Sequence, residues 1–130
     1  MIVDSSALIA LIKGEPEAQL FARAMEAGSQ VRVSAATYLE AFIVTDRYRS
    51  PKLTARLEEV LDHPRIVIEP VTPEQARLAR QAYRDYGRGS GHPARLNFGD
   101  CFSYALAREK REPILFKGAD FSETDLRSAL

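Results

Sequence analysis

The most constraining feature of this sequence is the alternation of short apolar, β-type runs with longer segments of helical period. Four such runs occur, at residues 1–4, 31–34, 66–68 and 114–116. Because helical segments separate each run from the next, the strands must run parallel in a sheet covered by helices. The pattern therefore predicts an α/β fold with three layers, α/β/α, and a mostly parallel sheet. We expect four or five strands, since residues 125–130 form only a weak fifth candidate.

Length and composition narrow the class of protein. A chain of 130 residues fits one domain, residues 1–130, and can bury a core without disulfide bonds. The single cysteine, Cys101, excludes an internal disulfide and a cysteine-based metal centre, which favours a reducing, cytoplasmic location. No segment reaches the roughly 20 apolar residues of a membrane helix, so we expect no membrane association. The 18 basic and 18 acidic residues balance, which argues against polyanion binding through net charge alone.

Four acidic residues fall where a parallel sheet collects side chains at its carboxyl edge. Asp4 ends the first strand, and Glu40 lies in the helix after the second. Asp100 opens the helix that leads into the last clear strand, and Asp120 follows that strand. Active sites of open parallel sheets lie beyond the carboxyl ends of their strands. We therefore expect these four carboxylates to meet at one edge.

Carboxylates this close raise one another's pKa values, and a divalent cation relieves that conflict. Oxygen ligands without histidine or cysteine favour Mg²⁺ or Mn²⁺, with water completing the coordination. Ser6 lies within reach of the same edge and could bind a metal-coordinated water or only cap a helix. The sequence thus predicts a Mg²⁺ or Mn²⁺ site.

Each acidic residue also has a purely structural interpretation. Asp4 and Asp100 are suited to capping helices, and Asp120 lies in a sequence typical of a turn. Glu40 lies in a largely apolar helix and could instead pair with a structural arginine. The set of four in this order is more specific than any one member.

Four segments resemble those of the VapC-type toxins, which are ribonucleases of the PIN-domain family. The segments are VDSSAL at residues 3–8, ATYLE at 36–40, NFGDCFSYALA at 97–107 and LFKGADF at 115–121. The pair Thr124 and Asp125 also looks like the family. The resemblance extends over essentially the whole chain, and the order and spacing of the segments make it specific.

The resemblance implies an acidic quartet with one or two Mg²⁺ or Mn²⁺ ions. It places Asp4 and Asp100 as metal ligands, and Glu40 and Asp120 as ligands either directly or through water. Asp125 would support the site, together with the Ser6 already noted. The resemblance further implies an endoribonuclease toxin that cuts structured RNA, and a cognate antitoxin that occludes the site. It also implies a homodimer and membership of a larger toxin–antitoxin complex.

The expected chemistry is in-line attack on a phosphodiester by metal-activated water. A divalent ion lowers the pKa of a bound water and neutralises charge that develops on the phosphate oxygens. The expected products carry a 5′-phosphate and a 3′-hydroxyl. This scheme needs no histidine, and we interpret His63 and His92 as surface residues.

An acidic site must still attract RNA, and a run of arginines suggests how. Arg77, Arg80, Arg84 and Arg88 recur at spacings of three and four, which places them on one helix face. Arg95 extends this basic stretch toward the helix of the third acidic residue. We expect Arg80, Arg84, Arg88 and Arg95 to contact phosphates. The alternative is an ordinary solvated helix face.

Two other functions compete with the nuclease interpretation. One is a non-catalytic PIN-like interaction module that keeps the carboxylates for structural reasons. The other is a receiver-type signalling domain, which needs a phosphoacceptor aspartate after the central strand. We take the strand at residues 66–68 as central, and it is followed by Glu69 and Pro70. The absence of an aspartate there argues against a receiver.

Overall fold

The molecule is built on a sheet of four parallel strands. In the computed structural model, which describes all 130 residues, the strand order is β3-β2-β1-β4. The strands are β1 (Ile2–Val3), β2 (Val31–Ser34), β3 (Ile66–Glu69) and β4 (Ile114–Leu115). Ile2 lies opposite both Arg32 and Ile114, which places β1 between β2 and β4. The expected parallel sheet is confirmed.

Two helices occupy each of the three crossovers between strands. They are α1 (Ser5–Lys13), α2 (Ala18–Ala27), α3 (Ala35–Arg47), α4 (Pro51–Leu61), α5 (Pro73–Tyr86) and α6 (Phe98–Lys110). A short 3₁₀ turn over Asp120–Glu123 follows β4. None of the helices combines the length and apolar character needed to cross a membrane.

The chain turns from strand to helix at the carboxyl edge through side-chain caps. The Asp4 carboxylate accepts a hydrogen bond from the Ser6 backbone N–H and begins α1 directly after β1. The Ser34 hydroxyl accepts a hydrogen bond from the Ala36 backbone N–H and begins α3 directly after β2. Such caps satisfy N–H groups that the first helical turn leaves without partners. They also place the first turns of α1 and α3 at this edge.

Two separate cores lie on the two faces of the sheet. Successive strand residues point to opposite faces, so Ile2 packs with α5 and α6 whereas Val3 packs with α1 to α4. Ile114 and Leu115 of β4 divide between the two cores in the same way. The three-layer α/β/α arrangement is therefore confirmed.

The structure decides two questions about the sheet. The carboxyl-terminal segment adds only a single bridge, Ile114 to Ser128, so the sheet has four strands and no full fifth strand. The prediction that residues 66–68 form the central strand is wrong, because β3 lies at an edge. The argument against a receiver domain that used this strand therefore fails, and another observation must decide that question.

Candidate active site

Asp4 lies at the centre of the carboxyl edge and is almost fully buried, with 2% of its surface exposed. Its Oδ2 atom accepts hydrogen bonds from the Ser6 backbone N–H at 3.0 Å and from Ser6 Oγ at 2.7 Å. Its Oδ1 atom accepts a hydrogen bond from Ser103 Oγ at 2.7 Å. Ser6 therefore orients the carboxylate, and the residue that caps the helix is Asp4 rather than Ser6.

Glu40 points from α3 into the start of α6. A Cβ atom added to Gly99 would lie 2.2 Å from Glu40 Oε1, so only glycine allows this close approach. The Oε2 atom of Glu40 is buried and has no hydrogen-bond partner. Burial raises the pKa of Glu40 and the charge of Asp4 raises it further, against a hydrogen bond with Ser5 that lowers it. Glu40 is thus a buried carboxylate without a cation, and the expected alternative of a structural arginine is not what the structure shows.

Asp100 occupies the first turn of α6 and is 8% exposed. It forms a capping box with Asn97, in which each side chain accepts a hydrogen bond from the other residue's backbone N–H. Burial raises the pKa of Asp100 to about 7 despite the hydrogen bond from Asn97. The structural interpretation of this residue, a helix cap, is confirmed.

The negative charges of the other three acidic residues also raise the pKa of Asp100. They are Asp4, Asp120 and Glu40. Asp120 contributes from the start of the 3₁₀ turn after β4, where it is exposed. The other three predicted carboxylates thus lie near enough to act on Asp100. No three of the four close on a common point at metal-binding distances.

Asp125 lies apart from this group. Its carboxylate accepts a hydrogen bond from the Tyr104 hydroxyl at 2.7 Å and pairs with Arg108 at 3.0 Å. Both partners belong to α6, the helix that carries Asp100. Asp125 therefore holds this helix in place and is not itself one of the carboxylates at the edge.

No basic side chain neutralises the acidic quartet. The chain's ion pairs involve other acids, and the lysine next to the edge, Lys117, pairs with Glu15 and Glu17. Four acidic side chains, two of them largely buried, therefore share one edge without a counter-charge. Their oxygen-only chemistry suits a hard divalent ion, and Mg²⁺ in particular keeps several waters and needs only one or two carboxylates. The residues present fit such an ion.

Sequence reasoning missed three residues that shape the site: Thr37, Gly99 and Ser103. Thr37 lies three residues before Glu40 on α3, and Ser103 lies three residues after Asp100 on α6. Residues three apart share a helix face, so this spacing was the available signal. The role of Gly99 depends on how closely two helices approach, which has no signature in the local sequence.

Comparison with known proteins identifies the family. Residues 1–126 match the PIN domain family. The chain is 54% identical to ribonuclease VapC28 of Mycobacterium tuberculosis over 130 residues, which cover 100% of this chain and 98% of that protein. It is 50% identical to ribonuclease VapC42 of the same species over 129 residues, covering 99% and 98%. The chain belongs to the VapC ribonucleases of the PIN domain family.

Two solved structures, one of a toxin and one of a toxin–antitoxin complex, show the same fold. The crystal structure of M. tuberculosis VapC20, described as a sarcin–ricin loop cleaving toxin, superposes with a TM-score of 0.75 at 22% identity. It covers 96% of this chain and 95% of its own. A toxin–antitoxin complex from Klebsiella pneumoniae gives 0.69 at 22% identity, covering 93% and 89%.

Family membership settles the class of activity. This VapC-family chain is a ribonuclease toxin, and PIN-domain ribonucleases depend on divalent metal ions. The receiver and the non-catalytic module are therefore set aside. The acidic edge suits a divalent ion, which agrees with this activity. That suitability was derived from burial and charge alone, so it is independent of the comparison.

The raised pKa of Asp100 predicts how the stability of the metal-free protein depends on pH. Its pKa rises from 3.8 to about 7 on folding, so the folded state binds a proton that the unfolded state has lost. The free energy of unfolding therefore falls as pH rises through this window. A shift of this size corresponds to about 4 kcal/mol for a group titrating alone. Because neighbouring carboxylates share the proton, we expect about 1–2 kcal/mol.

The variant Asp100→Asn removes this charge and keeps an acceptor for the Asn97 N–H. We expect it to stabilise the protein by about 1–2 kcal/mol at about pH 8, and by much less at about pH 5. Urea unfolding with EDTA present measures both values. Asp46→Asn, an exposed acid elsewhere, serves as the control. A gain that does not depend on pH would contradict the assignment.

Proposed function

We propose that residues 1–130 act as one catalytic domain that hydrolyses RNA phosphodiester bonds with a divalent ion at the acidic edge. Asp4 and Asp100 would bind the ion, and Glu40 and Asp120 would bind it directly or through water. The observation that carries this proposal is the buried Oε2 atom of Glu40, which has no partner beside a carboxyl whose pKa is near 7. A divalent cation supplies the missing charge.

Mg²⁺ is the ion we propose, with Mn²⁺ as a functional substitute. Both are hard cations that prefer carboxylate oxygen and water. The only cysteine, Cys101, is buried and its thiol donates to the Asn97 carbonyl oxygen, so it offers no soft ligand. The bound ion would supply an activated water and neutralise negative charge on the phosphate.

The chain's own residues have separate parts in this scheme. Asp4 is held in one orientation by hydrogen bonds to both oxygens. Glu40 and Asp100 contribute buried charge on either side of the Gly99 contact. Asp120 is exposed, so it is placed where water and substrate enter. Structured RNA would therefore approach the edge from the side of Asp120.

Neither histidine takes part in this chemistry. His63 Nδ1 accepts a hydrogen bond from the Arg65 backbone N–H in a turn before β3. His92 Nδ1 accepts one from the Ala94 N–H, and the ring packs edge-on against Tyr86. Both lie on turns and neither forms a hydrogen bond with a carboxylate of the quartet, which supplies what the reaction needs.

Removal of single carboxylates tests the catalytic assignment. We expect Asp4→Asn and Glu40→Gln to reduce RNA cleavage by at least about a hundredfold, because each removes charge that binds the ion. EDTA should abolish cleavage by the unchanged protein, and added Mn²⁺ should restore it. The exposed variant Asp46→Asn should cleave normally.

The ends of the products give a second readout of the same reaction. Hydrolysis by activated water leaves a 5′-phosphate and a 3′-hydroxyl. Cleavage that resists EDTA would show that the reaction needs no exchangeable metal ion, and products with 2′,3′-cyclic phosphates would show that the 2′-hydroxyl attacks instead. Either result would contradict the proposal.

We propose that the arginines of α5 and its following loop bind the RNA backbone. Arg80, Arg84, Arg88 and Arg95 are exposed and form no ion pair within the chain. The loop returns so that the Leu96 N–H donates to the Tyr86 carbonyl at 2.9 Å. The end of α5 therefore lies next to the start of α6, where Asp100 is.

Charge removal at that end of α5 tests this surface. We expect Arg84→Ala combined with Arg88→Ala to weaken RNA binding and to reduce the salt slope of log K by about 1.5. Arg77→Ala is the matched control, because Arg77 lies at the far end of the helix and pairs with Glu74. An unchanged slope in the double variant would favour an ordinary solvated face.

A cognate antitoxin is the protein partner we propose. An apolar groove of about 260 Å³ lies between α1, α2 and α4 and suits one face of an amphipathic helix. Its apolar lining includes Leu11, Met25, Val60 and Ile66. The groove reaches the first residues of β2 and β3, at the edge opposite the carboxylates. We propose that the antitoxin also occludes the acidic site, and that both proteins act in the cytoplasm, where RNA is made. Because the groove and the acidic site lie at opposite edges, the antitoxin must reach the site with a second segment.

We propose that a second copy of this chain covers an apolar patch beside the acidic edge. Phe98 is 77% exposed, Leu39 59% and Ile43 47%. Glu40 and Gly99, the chain neighbours of Leu39 and Phe98, lie next to each other, so these exposed side chains belong to helices that meet at this point. A large exposed apolar patch marks an interaction surface. A homodimer formed here would bring two acidic edges together and could take its place in a larger toxin–antitoxin complex.

Charged substitutions test the dimer. We expect the unchanged protein to be a dimer by analytical ultracentrifugation, and Phe98→Glu and Leu39→Glu to be monomers, because the buried charge would lack a partner. Leu20→Glu is the control, since Leu20 is 53% exposed on α2, outside the patch. Dimeric Phe98→Glu would show that the interface lies elsewhere.

A further inference from the structure

The buried side of Asp4 is linked to two hydroxyl groups, one bonded to it directly and the second bonded to the first. Ser103 Oγ donates to Asp4 Oδ1 at 2.7 Å, and Thr37 Oγ1 lies 3.0 Å from Ser103 Oγ. Both residues are almost completely buried, at 0% and 1% exposure. We propose that Ser103, oriented by Thr37, is a positioning residue that holds the Asp4 carboxylate ready for the metal ion. This inference rests on the proposed metal site.

The direction of each hydrogen bond follows from the chemistry of Asp4. An ionised carboxylate only accepts hydrogen bonds, so the single proton of Ser103 is donated to Asp4. Ser103 Oγ must then accept from Thr37, which makes Thr37 the donor in the second bond. The three side chains form a one-way chain of hydrogen bonds from α3 through α6 to the end of β1. Such an arrangement fixes the hydroxyl of Ser103 in one orientation.

The two oxygens of Asp4 are satisfied to different extents. Oδ2 accepts two hydrogen bonds, both from Ser6, whose hydroxyl in turn accepts from the Lys117 backbone N–H at 3.0 Å. Oδ1 accepts only the bond from Ser103. A carboxylate oxygen has two lone pairs, so Oδ1 keeps one for a cation. Ser103 therefore orients the oxygen that remains open.

A packing role alone does not require these hydroxyls. Burying a hydroxyl is costly unless it has a partner, and alanine at 103 or valine at 37 would fill similar space without that cost. Another buried threonine of α3, Thr45, donates to the Ala41 carbonyl of its own helix at 2.7 Å. Thr37, by contrast, directs its hydroxyl across to α6 and toward Asp4. Thr45 is therefore a matched control on the same helix face.

The test measures Mn²⁺ affinity directly. The increase in melting temperature with Mn²⁺ concentration gives a dissociation constant for each folded variant, without RNA or turnover. Loss of a group that orients a ligand typically weakens metal binding about ten- to a hundredfold. We expect this loss in Ser103→Ala, and a smaller loss in the same direction in Thr37→Val. Thr37→Ser, which keeps the hydroxyl, and Thr45→Val should bind Mn²⁺ like the unchanged protein.

Cleavage provides a second readout that a structural defect would not mimic. In Ser103→Ala the Mn²⁺ concentration for half-maximal cleavage should rise by the same factor, while the rate at saturating Mn²⁺ is largely retained. If Ser103→Ala does not fold, the Mn²⁺ affinities of Thr37→Val and Thr37→Ser test the same inference. Normal Mn²⁺ affinity in Ser103→Ala and Thr37→Val would overturn this inference alone. Failure of the unchanged protein to bind Mn²⁺ would instead overturn the metal site itself, and this inference with it.

Discussion

The electrostatic conflict among carboxylates at one edge of the sheet governs this molecule. Asp4 and Asp100 are buried, Glu40 is half-buried close to them, and no lysine or arginine of the chain pairs with any of the three. An unpaired buried charge is among the most costly features that a protein can keep. Under the function proposed above, a divalent ion bound at this edge would offset that cost.

The same residues that cost electrostatic energy also begin the helices. Asp4 caps α1, and Asp100 forms a capping box at α6, so each compensates part of its burial through backbone N–H groups. Capping and metal binding are therefore not competing interpretations of these residues. The hydroxyls of Ser6 and Ser103 extend the arrangement by donating hydrogen bonds to Asp4, and one lone pair of Oδ1 stays open. Local helix chemistry and the site are built from one set of hydrogen bonds.

The fold and the acidic quartet could be predicted because they depend on order along the chain. Alternating strands and helices imply a parallel sheet, and a parallel sheet collects the residues after its strands. The position of β3 at an edge could not be predicted, because strand order depends on which helices pack on which face. The contact between Glu40 and Gly99 and the bond from Thr37 to Ser103 join segments about 60 residues apart. Such contacts arise only from tertiary packing.

The most direct test of this account is to locate the ion. Crystals grown with Mn²⁺ should show an anomalous difference peak at the carboxyl edge, bound by Asp4 and Asp100, with Glu40 and Asp120 bound directly or through water. Asp4 Oδ1, the oxygen that Ser103 leaves open, should be among the coordinating atoms. A crystal at saturating Mn²⁺ with no peak there would contradict the account. So would a peak at another acidic cluster while the quartet keeps its metal-free geometry.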